Sequence, residues 1–190
     1  MIDIFNEILN KDTNGIILLS IAFAPFSKNF LQKIHNKLNK NTKRLKFYKM
    51  LSLVEYLNLK NISNIVLDPY PFGGCNSCLE SFYLNQPVVT LPTKKINGRF
   101  TYGFYKKMNI YDCIVLTKKD YVNKCLKLIQ NEIYYSNVCK KIKNKKYLLF
   151  EEIKSVQEYE NKLIEIKMLN NNKYGTKKFK DHNYSTSIYR

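Results

Sequence analysis

The residues best suited to do chemistry lie between positions 73 and 80, shortly after the apolar run 64–68. The segment opens with Gly73-Gly74-Cys75-Asn76-Ser77, and the carboxylate of Glu80 follows three residues later. Glycines permit a sharp turn and Asn or Ser starts a helix well, so we expect a strand, a turn and a helix here. The first amides of a helix have no intrahelical acceptor and carry the positive end of the helix dipole. The turn is therefore a candidate phosphate site, beside a carboxylate that can accept hydroxyl hydrogen bonds.

The same residues also have a purely structural interpretation. Ser77 and Glu80 have the spacing of a capping box, in which two side chains satisfy the free amides of a helix start. The segment lacks the Gly-Lys-Ser/Thr ending of a P-loop and the GxGxxG pattern of dinucleotide-binding folds. The pattern alone therefore supports phosphate binding and simple capping equally.

A second helix start follows the next apolar run and carries basic residues. Asn97 and Gly98 are predicted to open this helix, and Lys94, Lys95 and Arg99 surround it. Cations at this end oppose the helix dipole by about 0.3–1 kcal/mol each, a cost that a bound anion would offset. Arg99 is thus a second phosphate candidate, although these side chains could equally extend into water.

Few residues of the chain suit dithiol, metal-dependent or acid–base chemistry. Cys75 and Cys78 form a CxxC pair but lack the aromatic context of a thioredoxin-type dithiol, and zinc would need further ligands at matching spacing. Neither His35 nor His182 has neighbours that suggest a general base. We therefore predict no metal site and assign no catalytic residue. The chain has five cysteines, an odd number at irregular spacing, which favours a reducing, cytoplasmic compartment.

The net charge of +17 permits a nucleic-acid partner. However, all but Arg44, Arg99 and Arg190 of the 32 basic residues are lysine, which lacks the forked geometry of arginine. The basic residues are also spread along the chain. A basic nucleic-acid-binding module is therefore an alternative function that we do not expect. We also expect no membrane association, because the longest apolar run, 16–26, is too short to span a bilayer.

Apolar runs that alternate with helical patterns must position the candidate site. Strands are predicted at residues 15–22, 45–50, 64–68, 87–91 and 112–116. Helices are predicted between them, at residues 28–39, 51–59, 77–84, 98–108 and 119–130. This alternation predicts an α/β fold with a doubly wound, mainly parallel, five-stranded Rossmann-like sheet. Helical patterns at 133–150 and 153–169 add C-terminal helices, so residues 1–170 are predicted to form one domain and residues 171–190 a disordered basic tail.

The chain resembles the C-terminal catalytic half of the O-linked N-acetylglucosamine transferase family, the Spindly-like protein glycosyltransferases with a GT-B fold. The resemblance is most specific over residues 66–110 and extends more loosely over residues 1–165. It rests on consecutive segments at residues 67–80, 86–92, 97–100 and 105–110. The implied fold is a single half of a GT-B enzyme.

The resemblance implies a metal-independent glycosyltransferase that needs no cofactor besides its UDP- or GDP-linked sugar donor. In the family, the turn that matches Gly74 to Ser77 holds the donor diphosphate, and the carboxylate at the position of Glu80 binds the ribose. The family's threonine pair appears here as Asn76 and Ser77. Tyr56 loosely matches the position that contacts the base, although packing in the core is an equally good interpretation. The implied reaction transfers N-acetylglucosamine, or a related sugar, to Ser or Thr of a protein acceptor.

The chain departs from the family in its extent. A GT-B enzyme has two Rossmann-like domains, and only the second has a counterpart here. The family's Gln/Lys pair, which contacts the donor phosphates, would lie before Met1. We therefore expect that another chain supplies the missing N-terminal half, or that the chain is an inactive, truncated interaction domain.

Overall fold

A computed structural model of the protein describes residues 1–20, 28–150 and 152–174. The α-helices in chain order are α1 Ile2–Lys11, α2 Lys28–Leu38, α3 Leu53–Ile62, α4 Asn76–Tyr83, α5 Phe100–Lys107, α6 Lys118–Gln130, α7 Glu132–Lys145, α8 Tyr147–Phe150 and α9 Ile153–Tyr174. The strands are β1 Ile17–Ser20, β2 Leu45–Tyr48, β3 Val66–Leu67 and β4 Val88–Val89. Short 3₁₀ turns occupy Asn39–Arg44 and Ile96–Gly98. No helix among the described residues has both the length and the apolar character needed to cross a membrane.

The strands form two separate parallel pairs. β1 pairs with β2, and β3 pairs with β4, where Val66 lies opposite Val88. A single parallel bridge joins Thr90 to Ile114 and links β4 to the predicted fifth strand. The α/β class and the parallel pairing agree with the sequence analysis, but the described residues contain no five-stranded sheet.

A proline limits the second pair at its start. Pro87 directly precedes β4, and proline cannot donate a hydrogen bond to a strand ladder. The carbonyl oxygen of Pro87 still accepts from the Val66 amide at 3.0 Å. The predicted continuation of β1 over residues 21 and 22 lies outside the described residues.

Helix α1, which the sequence analysis did not identify, contributes to both apolar clusters of the protein. Its Ile4 and Ile8 pack into the larger cluster, which is built mainly from α4, β4, α5, α6 and α7. Its Phe5 and Leu9 pack into the smaller cluster, with buried residues of β1, α2 and β2. Two neighbouring apolar stripes on one amphipathic helix therefore join the parts of the fold.

Arg44 fixes the C-terminal end of α1. Its guanidinium donates hydrogen bonds to the carbonyl oxygens of Leu9, Asp12 and Gly15, and to Oδ1 of the buried Asn41. A cation at the negative end of a helix dipole is favourable, and these carbonyls have no intrahelical partner. One of the three arginines is thus committed to the fold.

The chain divides into two units, Met1–Phe150 and Glu151–Arg190. The sequence analysis predicted a domain over residues 1–170 and a tail over residues 171–190, and that division stays a prediction. α9 belongs to the second unit and ends at Tyr174, so residues 171–174 of the predicted tail are helical. Residues 175–190 of that tail lie outside the described residues.

Two glycines of the first unit provide a matched test of its packing. A Cβ at Gly98 would lie 2.6 Å from the Pro71 carbonyl oxygen and 2.3 Å from Thr93 Oγ1, whereas a Cβ at Gly103 in α5 would meet nothing within 4 Å. We expect Gly98→Ala to lower the free energy of unfolding by about 1–3 kcal/mol through overpacking. Gly103→Ala should raise it by about 0.5–1 kcal/mol, because alanine favours the helix. Urea unfolding measures both, and equal effects would contradict the close contact at Gly98.

Candidate functional site

Two loops meet beyond the carboxyl ends of β3 and β4. The amide of Gly73, in the loop before α4, donates to the carbonyl oxygen of Asn97 at 2.9 Å. The close approach of Gly98 to Pro71 joins the same loops at a second point. The starts of α4 and α5 are therefore held at the edge where open α/β sheets bind their ligands.

The buried carboxylate of Asp68 organises this edge. Asp68 directly follows β3 and is 3% exposed. Its Oδ1 accepts from the Gly74 amide at 2.7 Å, and its Oδ2 accepts from the Thr90 hydroxyl at 2.6 Å. Its backbone amide donates to Val89, and its carbonyl oxygen accepts from the Tyr121 hydroxyl, both at 3.0 Å. Asp68 thereby connects β3, β4, α6 and the turn before α4.

Close packing by Asp68, Ser77 and Cys78 explains the two glycines of the turn. A Cβ at Gly73 would lie 3.1 Å from Asp68 Oδ1, and a Cβ at Gly74 would lie 2.7 Å from both Cys78 Sγ and Ser77 Oγ. The amides of Gly73 and Gly74 already have acceptors within the protein. A phosphate held at this turn would therefore have to use the amides that follow.

The amides that follow are free to bind a ligand. For those of Cys75, Asn76 and Ser77, the described part of the chain provides no acceptor. α4 begins at Asn76, and its N-cap residue Cys75 makes no side-chain capping bond. The capping box predicted for Ser77 and Glu80 is therefore wrong, because Ser77 already lies inside the helix. The exposed side chains of Asn76 and Ser77 flank these amides.

Lys60 of the neighbouring helix α3 forms an ion pair with Glu80. The ammonium of Lys60 lies 3.3 Å from Glu80 Oε2 and 3.0 Å from Ser81 Oγ, and it also donates to the Ser77 carbonyl oxygen. The ring of Tyr56 lies 4.8 Å from the same ammonium. We call Tyr56, Lys60 and Glu80 the α3–α4 cluster. It brings together two residues predicted from the sequence and one that was not.

Lys60 was missed because the predicted helix 51–59 ended one residue before it. The real helix α3 starts with a capping box of Ser52 and Glu55 and continues to Ile62. Tyr56 and Lys60 are therefore four residues apart on one helical face, which is the signal that could have found them.

Burial and the Glu80 charge both shift the pKa values of this cluster. Burial lowers the pKa of Lys60, and the Glu80 carboxylate opposes that shift. Burial also raises the pKa of the Tyr56 phenol, and Glu80 adds to the rise. Tyr56 thus stays neutral at physiological pH. Glu80 keeps 34% of its side chain exposed, so it remains accessible to a ligand.

Arg99 lies at the start of α5 but bonds within its own segment. Its guanidinium donates to the Thr93 carbonyl oxygen at 2.9 Å and stacks on the Tyr102 ring at 4.6 Å. Arg99, Lys94 and Lys95 are all exposed. Among the described residues, no hydrogen bond links Arg99 to the turn before α4.

The described cysteines are all free thiols, so Cys75 and Cys78 are not joined. Burial, assisted by Asp68, raises the pKa of Cys78 to about 12, and burial raises that of Cys113 to about 12. A buried thiol of this kind is a poor nucleophile, because the thiolate is the reactive form. Among the described residues, no group of three or more His, Cys, Asp and Glu side chains could hold a metal ion.

The described part of the protein has two surface grooves among its best-formed pockets. One, of about 250 Å³, is lined by residues that include Asn41 and Arg44. The other, of about 370 Å³, lies between Ile114–Leu116 and the α6 residues Asp120 to Lys127. Neither groove is lined by residues 73–80.

Comparisons with known proteins support the fold. No protein-family model and no curated protein matches the sequence. Among solved structures, a mutant O-GlcNAc transferase of Thermobaculum terrenum is similar, with 19% sequence identity and a TM-score of 0.68. The similarity covers 77% of this chain but 28% of that one. The protein therefore has a glycosyltransferase-like fold that corresponds to part of the larger structure.

Asp68 can be tested by a substitution that preserves its shape. In Asp68→Asn, the amide group cannot accept from both the Gly74 amide and the Thr90 hydroxyl, so one donor loses its acceptor. We expect the free energy of unfolding to fall by about 1–3 kcal/mol. Asp3→Asn, which removes an exposed ion pair with Lys37, should change it by less than about 1 kcal/mol. Chemical denaturation of both variants makes the comparison, and equal losses would show that Asp68 has no special role.

The thiols provide a test of the local geometry. We expect iodoacetamide at about pH 8 to modify the partly exposed Cys75 well before Cys78 or Cys113, because burial and their raised pKa values leave little thiolate at these two positions. Peptide mass spectrometry over a time course measures the rates. In denaturant all of these thiols should react alike, and equal rates in the native protein would contradict the buried position of Cys78.

Proposed function

We propose that this chain is the donor-binding domain of a nucleotide-sugar-dependent glycosyltransferase. The observation that carries the proposal is the set of free amides at Cys75, Asn76 and Ser77, which begin α4 beyond the carboxyl end of β3. The likeness to an O-GlcNAc transferase structure and the family resemblance of residues 66–110 support it. A helix start of this kind suits a diphosphate, because its dipole and donors both favour negative charge.

The proposed roles follow from the positions of the side chains. The three amides bind the diphosphate, with Gly73 and Gly74 shaping the turn. Glu80 accepts hydrogen bonds from the ribose hydroxyls, since its exposed carboxylate lies one helical turn further along α4. The half-buried Tyr56 lies beside Glu80, and the role proposed for it is contact with the base. Arg99 remains a second candidate for the phosphates.

Sugar transfer would use the same amides in another way. When the bond to the sugar breaks, negative charge develops on the leaving UDP or GDP, and fixed donors stabilise this charge. Because the chain spans 28% of the similar structure, we propose that a second domain or chain provides the opposite wall of the cleft. Such a wall would hold the acceptor, for which we propose Ser or Thr of a protein and a donor of UDP-N-acetylglucosamine or a related nucleotide sugar.

Calorimetric titration with UDP and with GDP tests the proposal directly. We expect one of them to bind at about 0.15 M salt, where charges on the surface are largely screened. Glu80→Gln should weaken that binding roughly tenfold, because a hydrogen bond to a charged acceptor is lost. Glu7→Gln, at an exposed carboxylate of α1, should leave the affinity unchanged.

Two further measurements distinguish specific nucleotide binding from the general attraction of polyanions to this basic chain. A single-stranded DNA oligonucleotide should bind with an affinity that falls steeply as salt increases, whereas the affinity for the preferred nucleotide should fall much less. Bound nucleotide should also protect Cys75 from alkylation. A folded sample that binds neither UDP nor GDP would reject the proposed function.

A further inference from the structure

Lys60 is the only buried lysine among the described residues. It is 8% exposed, although lysine is almost never buried without partners. Its ammonium contacts the Ser77 carbonyl oxygen, Glu80 Oε2 and Ser81 Oγ, which match the three donors that a lysine carries. All three acceptors belong to the first turns of α4, the helix of the proposed diphosphate site.

The position of this charge limits how Glu80 can move. A long carboxylate side chain on a helix surface would normally sample several rotamers. Here Lys60 holds one carboxylate oxygen from α3, and the Tyr56 ring lies on the same ammonium. The side chain nevertheless remains 34% exposed. A restrained but accessible carboxylate is what hydrogen bonding to a fixed pair of hydroxyls requires.

We propose that Lys60 is a positioning residue, which holds the Glu80 carboxylate in the orientation that accepts hydrogen bonds from the ribose of a ribonucleoside diphosphate. This inference rests on the proposed function. A buried lysine that merely joined α3 to α4 would support the whole site equally. A positioning lysine instead acts on one part of the ligand, the hydroxyls that Glu80 contacts, and leaves the diphosphate contacts unchanged.

The test compares UDP or GDP, whichever binds, with its 2′,3′-dideoxy analogue. In the native protein we expect the ribonucleotide to bind roughly tenfold more tightly, since only it can donate hydroxyl hydrogen bonds to Glu80. Lys60→Met should remove most of that preference by weakening the ribonucleotide alone, with the dideoxy affinity unchanged within about twofold. Isothermal calorimetry measures the four affinities.

Lys124→Met is the matched control. The side chain of Lys124 in α6 is also partly buried, and it reaches α7, where it donates to the Tyr134 hydroxyl at 2.9 Å. Unlike Lys60, it does not belong to the α3–α4 cluster. This variant should keep the full preference for the ribonucleotide. Circular dichroism and thermal melts establish that each variant is folded.

If Lys60→Met does not fold, Lys60→Arg replaces it, because arginine keeps a cation in the buried position. The planar guanidinium cannot reach the same three acceptors in the same geometry, so the preference should fall at least about threefold. An unchanged preference in either folded variant overturns the inference, and so does an equal loss for both nucleotides. If the native protein binds neither UDP nor GDP, the proposed function itself has failed.

Discussion

The fold around the candidate site depends on one buried carboxylate. Asp68 stands where β3 ends, and its partners come from β4, α6 and the turn before α4. A polar group buried to this degree is stable only when hydrogen bonds replace the lost water. A backbone amide and a hydroxyl supply them here, and the same bonds fix the path of the turn. The shape of the turn is therefore set from the inside of the protein, before any ligand is bound.

This arrangement divides the donors of the turn into two groups. The amides of Gly73 and Gly74 point to acceptors within the protein and maintain the structure. The amides of Cys75, Asn76 and Ser77 have no such acceptor among the described residues. Sequence reasoning treated all five as one phosphate-binding group. The distinction depends on where Asp68 and Asn97 lie in space, which no local pattern reveals.

Local sequence patterns predicted the secondary-structure elements better than the contacts between those elements. Helices α2 to α7 were located to within a few residues, because apolar periodicity and helix starts are encoded in neighbouring residues. α1 was missed although Ile4, Phe5, Ile8 and Leu9 follow a helical spacing, so that signal was available. The five-stranded sheet could not be judged in this way, because strand length depends on pairing across the sheet. The contacts of Asp68 with Thr90 and Tyr121 span 22 and 53 residues, and that of Lys60 with Glu80 spans 20.

The close packing at Gly98 has a mechanical consequence. Because Gly98 lies close to the Pro71 carbonyl and Asn97 accepts from Gly73, the loops that precede α4 and α5 are joined at two points. A displacement of either loop would therefore strain its contacts with the other. A molecule that moved the start of α4 would in this way also act on the start of α5.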